Sequence, residues 1–225
     1  MKAAGVRVAL VEDHDLLATT LGIALEIEGM EVLRARLDGR GELRAQLSTF
    51  RPHVALIDLD LGPLGDGGQL IPDLVADGVR VIVVSGTTDD ADLGRCLAFG
   101  AIGCVPKRCG LHELIAAVEG AAVGQSNLSP RRRTDLITIW QTQKASREDG
   151  EERLRQLTPR EAEILARLMD GMTVERIAVE SVVSAGTVRT QVKSILAKLG
   201  VNSQLQAVAL ASRAGWAARG PDQPS

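Results

Sequence analysis

Aromatic side chains are almost missing from this chain: two Trp, two Phe and no Tyr among 225 residues. Its cores must be built from Leu, Val, Ile and Ala, and stacking of bases on aromatic rings is excluded as a main route to nucleic acid. Cysteine is scarce too. Cys96, Cys104 and Cys109 are odd in number and lack ligand-like spacing, which argues against a disulfide framework or a zinc site and fits a reducing compartment. No apolar run approaches the ~18 residues that suggest a membrane span. The N-terminus carries no basic-then-apolar leader signal. A soluble, cytoplasmic protein with no membrane partner is expected.

What is present points to two domains. The length exceeds one typical domain, and 45% of the residues are hydrophobic. Charge divides unevenly along the chain. Residues 1–122 hold 11 Lys and Arg against 18 Asp and Glu, whereas residues 157–219 hold 8 against 5. An acidic front and a mildly basic back suit different partners, although two solvated surfaces could differ this much by chance.

The front half alternates short β-branched runs with stretches of helical length. VRVALV (6–11), VALI (54–57), RVIVV (80–84) and IGCV (102–105) read as strands, with a weaker one at 31–35. Helices are expected near 14–28, 40–49, 67–77, 90–99 and 111–123. Nearly continuous apolar strands between helices imply a parallel sheet covered on both faces. Five such βα units suit a flavodoxin-like doubly wound order, with chemistry beyond the C-terminal strand ends. Residues 124–153 change to a polar composition and read as a linker, with a possible helix opened by Ser129 and Pro130. The triplet Arg131–Arg132–Arg133 suits a solvated helix start better than a phosphate contact. Residues 154–219 read as four helices, the first opened by a capping box in Thr158-Pro159-Arg160-Glu161, and 220–225 as a flexible tail.

The polar residues of the front half gather at one sheet edge. Glu12 and Asp13 follow the first strand, Asp58 ends the third, Ser85 ends the fourth and Lys107 follows the fifth. Each alone has an ordinary explanation, such as a helix start that favours acids or a turn. Together they make a phosphoryl-transfer set. Clustered carboxylates are relieved by a hard cation such as Mg²⁺. An ionised Asp58 is a competent oxygen nucleophile. Lys107 and the metal can stabilise phosphoryl charge, and Ser85 can donate to a phosphoryl oxygen.

VALVEDHD (8–15), ALIDLDLGPLGDGG (55–68), VIVVSG (81–86) and GAIGCVPK (100–107) resemble the receiver domain of two-component response regulators. The resemblance covers residues 5–122, the body of a front domain expected over residues 1–123. It implies that a sensor histidine kinase phosphorylates Asp58. It also implies Mg²⁺ held by Asp13, Asp58 and the backbone carbonyl of Asp60, with Glu12 nearby. Ser85 would be the switch hydroxyl and Lys107 the phosphate-facing lysine. One departure stands out: Cys104 occupies the place of the family's usual switch aromatic, so activation would need another route or be weakened. Gly86, where a small residue is usual, should keep the pocket open.

In the back domain, helix 186–199 sets Thr187, Arg189, Thr190, Gln191 and Lys193 around the apolar stripe Val188, Val192, Ile195. Arg189 and Lys193 are four apart and share a face. A short helix, a turn and a helix bearing basic, amide and hydroxyl groups suit the DNA major groove, although a solvated bundle helix has the same composition. LTPREAEIL (157–165), residues 173–178 and SAGTVRTQVKSILAKLGV (184–201) resemble the LuxR-type helix-turn-helix. Joined to a receiver, this is the NarL/FixJ class of response regulators. The resemblance places Thr187, Arg189, Thr190 and Lys193 on the DNA-contacting surface, with Gln191 where His is common. Thr173, which caps the short second helix, joins the candidate set. The last helix, around Gln206–Ser212, implies a homodimer on double-stranded DNA.

The expected function is therefore a DNA-binding transcription regulator, and not an enzyme beyond phosphoryl transfer onto its own Asp58. Two other readings compete with this one. Asp58-Leu59-Asp60 resembles the Asp-x-Asp of haloacid-dehalogenase phosphatases, but there an acidic pair follows the lysine, whereas here the pair precedes Asp58. A regulator that works without phosphorylation, keeping the receiver as a dimerisation or sensing module, is the closer rival because of Cys104.

Overall fold

The structure is a computed structural model that describes residues 5–86 and 89–216. The tail expected over 220–225 lies outside the described residues. The chain divides into two compact units, residues 1–141 and 142–225.

The first unit is built on five parallel strands: β1 Arg7–Val11, β2 Glu31–Arg34, β3 Val54–Asp58, β4 Arg80–Ser85 and β5 Gly103–Pro106. Their order is β2-β1-β3-β4-β5, the doubly wound order expected from the sequence. Helices α1 Asp15–Ile27, α2 Arg40–Phe50, α3 Ile71–Ala76, α4 Asp90–Ala98 and α5 Leu111–Ala122 connect and follow the strands. Two short 3₁₀ turns, Gly62–Leu64 and Gly67–Leu70, lie between β3 and α3.

Period-2 alternation sorts the strand residues into two cores. Ala9, Val11, Ala55, Ile57, Val81 and Val83 face one layer with Leu43 of α2 and Leu97 of α4. Val8, Leu10, Val54, Leu56, Ile82 and Val84 face the other with Leu25 of α1 and Val118 of α5. Both faces are covered, so β3 is buried along its whole length.

Residues 124–153, read from sequence as a linker with a possible helix, hold most of α6, Pro130–Arg155. Its start follows local chemistry: Ser129 Oγ accepts from the Arg132 N–H at 3.2 Å, and Pro130 occupies the first helical position. The helix has no single apolar stripe. Leu136 joins the core of the first unit and Leu154 the core of the second, with exposed polar residues at 143–149. Burial of Leu136, 1% exposed, contributes about 1.5–3 kcal/mol.

The arginine triplet at the start of α6 is not simply solvated. Arg132 holds Asp90 at 2.6 Å, and Arg133 donates to the carbonyls of Ala101 and Leu97 at 2.9 and 3.0 Å. Helix C-terminal carbonyls and a nearby acid attract these cations more strongly than isolated propensity suggests.

The second unit contains α7 Pro159–Met169, α8 Val174–Glu180, α9 Ala185–Leu199 and α10 Gln204–Arg213. The capping box is formed: Thr158 Oγ accepts from the Glu161 N–H, and the Glu161 side chain accepts from the Thr158 N–H. Ser184 and Ser203 cap α9 and α10 in turn. Ile164, Leu165, Ile177, Val188, Val192, Ile195, Leu199 and Ala207 form the shared core. Gly200 ends α9 at φ +63, a left-handed conformation that glycine adopts without Cβ strain.

Candidate functional site

The C-terminal ends of β1, β3, β4 and β5 converge on a cavity of about 500 Å³. Asp58 closes β3 inside it and is 3% exposed. Lys107 reaches across, its Nζ 2.6 Å from Asp58 Oδ2 and 2.9 Å from Glu12 Oε1. The Lys107 N–H donates to the Ser85 carbonyl at 2.9 Å, so the β4–β5 ladder fixes both residues. Ser85, 5% exposed, and Gly86 line the same cavity. A Cβ at Gly86 would meet nothing within 4 Å, so the space beside it is open cavity.

The backbone beyond β3 is shaped for close approach. A Cβ on Gly67 would lie 2.0 Å from the Asp58 carbonyl oxygen, so only glycine fits there without a shift. Asp60 turns the chain by accepting the Gly62 N–H at 3.1 Å. Ligand atoms of Glu12, Asp13, His14 and Asp58 lie within 4.8 Å of one another. That acidic cluster is the feature expected of a cation site.

Electrostatics follow from burial. Loss of water raises the Asp58 carboxyl above its ordinary range, against the hydrogen bond from Lys107, and the Glu12 carboxylate adds to the rise. Lys107 is raised as well, because its bonds to Asp58 and Glu12 outweigh its own desolvation. His14 is raised by its hydrogen bond to Glu12 and by the Asp13 carboxylate. Cys104 on β5 is half-buried against the core that Leu136 joins, and burial pushes its thiol up.

Four polar residues of this pocket, His14, Asp66, Asp92 and Arg95, stand outside the set read from the sequence. His14 sits 2.7 Å from Asp13 and 2.8 Å from Glu12, and its place after an acidic pair was the only available sign. Asp66 and Arg95 pair at 2.6 Å in the cavity wall, 29 positions apart, with no local signal.

A second cluster lies on α8 and α9. Thr187, Arg189, Thr190 and Lys193 are exposed along α9, while Gln191 is half-buried. Thr187 Oγ1 lies 2.9 Å from Ser184 Oγ, and Thr190 donates to the Gly186 carbonyl at 3.1 Å. Thr173 caps α8 by accepting the Arg176 N–H at 3.3 Å. Arg189 is held by Glu175 of α8 at 2.7 Å, an acid the sequence reading left out. Lys193 makes no ion pair among the described residues.

Comparison with known proteins identifies both domains. Residues 8–119 match the family described as response regulator receiver domain, and residues 155–211 the bacterial regulatory proteins of the luxR family. The DNA-binding transcriptional activator DevR/DosR of Mycobacterium tuberculosis is 32% identical over 210 residues, covering 92% of this chain and 94% of its own. The transcriptional regulatory protein UhpA of Salmonella typhimurium is 31% identical over 201 residues, covering 89% and 95%. Among solved structures, the Salmonella typhimurium RcsB response regulator shares the fold with a TM-score of 0.55 at 24% identity, over 92% of this chain and 100% of that one. No described helix is long and apolar enough to cross a membrane. The chain belongs to the NarL/FixJ class of response regulators, DNA-binding transcription regulators in which a receiver domain precedes a LuxR-type helix-turn-helix domain.

Proposed function

We propose that Asp58 is the phosphoacceptor, that a sensor histidine kinase supplies the phosphoryl group, and that the product is a cytoplasmic, dimeric DNA-binding regulator. The observation that carries this reading is the buried Asp58 carboxylate held by Lys107 within a cluster of oxygen donors. One Asp58 oxygen attacks phosphorus, the P–O bond forms, and the bond to the donor's nitrogen or oxygen breaks, its electron pair leaving with the donor. Burial strips water from the nucleophile, while Lys107 keeps its carboxylate charged and oriented. As negative charge spreads over the phosphoryl oxygens, the Lys107 ammonium and the Ser85 hydroxyl would receive it.

Glu12, Asp13, Asp58 and the Asp60 backbone carbonyl are the groups that would hold Mg²⁺. Their hard oxygen atoms suit that ion, which prefers a few carboxylates together with phosphate. When bound, it supplies neutralisation of carboxylates and phosphoryl oxygens.

The domain partition follows the same reading: receiver through about residue 123, connecting segment to 153, and DNA-binding domain over 154–219. Thr173, Thr187, Arg189, Thr190, Gln191 and Lys193 form the proposed DNA face, with α9 in the major groove. Treatment of the full chain with acetyl phosphate and Mg²⁺ tests the assignment by intact mass. One phosphoryl adduct is expected, absent in Asp58→Asn. An adduct that persists in Asp58→Asn would show that another residue is the acceptor.

A further inference from the structure

Two of the four aromatic residues in the chain meet beside the phosphoacceptor pocket. The line begins at Asp66, in the cavity wall with Asp58. One Asp66 oxygen accepts the Gly68 N–H at 2.8 Å and the other holds Arg95 Nη1 at 2.6 Å. A Cβ on Gly68 would lie 3.1 Å from Arg95, so the guanidinium rests directly on the glycine backbone. The same guanidinium stands 5.8 Å from the centroid of the Phe99 ring, one turn further along the chain. Phe99 then meets Trp140 of α6 edge to face, with centroids 6.1 Å apart at 76°. An unbroken series of contacts therefore joins the pocket wall to α6.

Helix α4 carries this series between two differently used sides. Asp92 and Arg95 face the cavity. Asp90 and Gly94, four apart, face α6: Asp90 holds Arg132, and a Cβ on Gly94 would strike the Leu136 carbonyl at 2.0 Å. Such close seating leaves α6 little room to accommodate a shift of α4 without loosening. Cys104 lacks the bulk to signal by swinging, and its carbonyl is held by Asn127 Nδ2 at 2.7 Å.

We infer that the contacts Asp66–Arg95–Phe99–Trp140 report the state of the pocket to residues 130–141 of α6, with Arg95 as the positioning residue. The inference rests on the reading of Asp58 as phosphoacceptor. A phosphoryl group on Asp58 brings a new multiply charged anion into the cavity that Asp66 and Arg95 line. Guanidinium pairs strongly with phosphoryl oxygens, so the group competes with Asp66 for Arg95. Withdrawal of the guanidinium from Phe99 weakens the support of Trp140. The first turns of α6 then open more readily.

Hydrogen exchange of the backbone amides of residues 131–141 in the full chain tests this, with intact mass read on the same samples. With acetyl phosphate and Mg²⁺, the wild-type chain should gain one adduct and exchange several-fold faster over 131–141. Phe99→Leu should gain the adduct while 131–141 no longer responds. Asp66→Asn, without any phosphodonor, should speed exchange over 131–141, and Asp66→Glu should restore slow exchange. An adduct with unchanged exchange in the wild type would overturn the inference, as would a full response in Phe99→Leu. A wild-type chain that takes no adduct would overturn the Asp58 reading instead. In that event unchanged exchange in Asp66→Asn would overturn the contact route, and faster exchange would uphold it.

Discussion

Lys107 and Arg189 each hold a carboxylate at hydrogen-bond distance, yet they sit in opposite surroundings. Lys107 binds Asp58 at 2.6 Å, with side chains 22% and 3% exposed. Arg189 binds Glu175 at 2.7 Å, with side chains 63% and 66% exposed. In the pocket, burial of Asp58 makes removal of its partner costly, about 3–5 kcal/mol for buried pairs in general. On α9, water and salt screen the pair to about 0–1 kcal/mol. On the proposed function, the first centre would keep charge in place for chemistry, whereas the second could yield its cation to DNA at little cost. Burial, rather than the kind of residue, separates a reaction centre from a binding face.

The largest effect is expected where burial is greatest. Lys107→Ala removes the cation shared by Asp58 and Glu12 and leaves two carboxylates facing each other. Phosphoryl uptake from acetyl phosphate should slow by roughly 100-fold or more. A mass time course that matches the wild type would remove Lys107 from the chemistry.

Glu161 extends the comparison, because it is a buried acid, 4% exposed, in the unit that holds the binding face. Burial alone would raise its carboxyl, but hydrogen bonds from Lys198, Ser194 and Thr158 hold it at about 2, below an ordinary 4.5. A depressed pKa means that the stabilisation is present above about 4.5 and is lost as pH falls towards 2. The shift is equivalent to ~3 kcal/mol before solvent screening, which lowers it. Urea unfolding should show the second unit weakening over that window, and Glu161→Gln should remove most of that pH dependence. An unchanged dependence in the variant would place the titration elsewhere.

On the exposed face, effects should be smaller and sensitive to salt. Arg189→Ala should cost about 1–3 kcal/mol and relax preference at one base pair if Arg189 reads a base edge. Lys193→Ala should weaken all sequences alike and lower the salt slope by about one. Glu175→Gln frees Arg189 from its partner and should tighten DNA binding by less than about fivefold, equivalent to ~1 kcal/mol. Gel-shift titration at two salt concentrations distinguishes these outcomes, and weaker binding by Glu175→Gln would contradict the screened-pair picture.

The same contrast governs what could be read in the sequence. The runs ending at Asp58 and Ser85 alternate faces of a covered sheet, and their β-branched composition made the strand ends, and so the pocket's main residues, legible. The capping box at Thr158 and Glu161 is a local motif and was equally legible. Asp66–Arg95 and Glu175–Arg189 are pairings between elements, 29 and 14 positions apart, and no periodicity announces them. Helix α6 was obscured because its apolar residues serve two cores from its two ends and never form one stripe. The signal of amphipathicity requires a single buried face.

Charge added at the buried centre is proposed to control the exposed one. Binding of the full chain to duplexes selected from a random pool measures it, with and without acetyl phosphate and Mg²⁺, in the wild type and in Asp58→Asn. Tighter binding is expected only for the wild-type chain carrying the adduct, with a footprint over two related half-sites. Equal affinity with and without the adduct would contradict the account and favour a regulator whose receiver acts without phosphorylation.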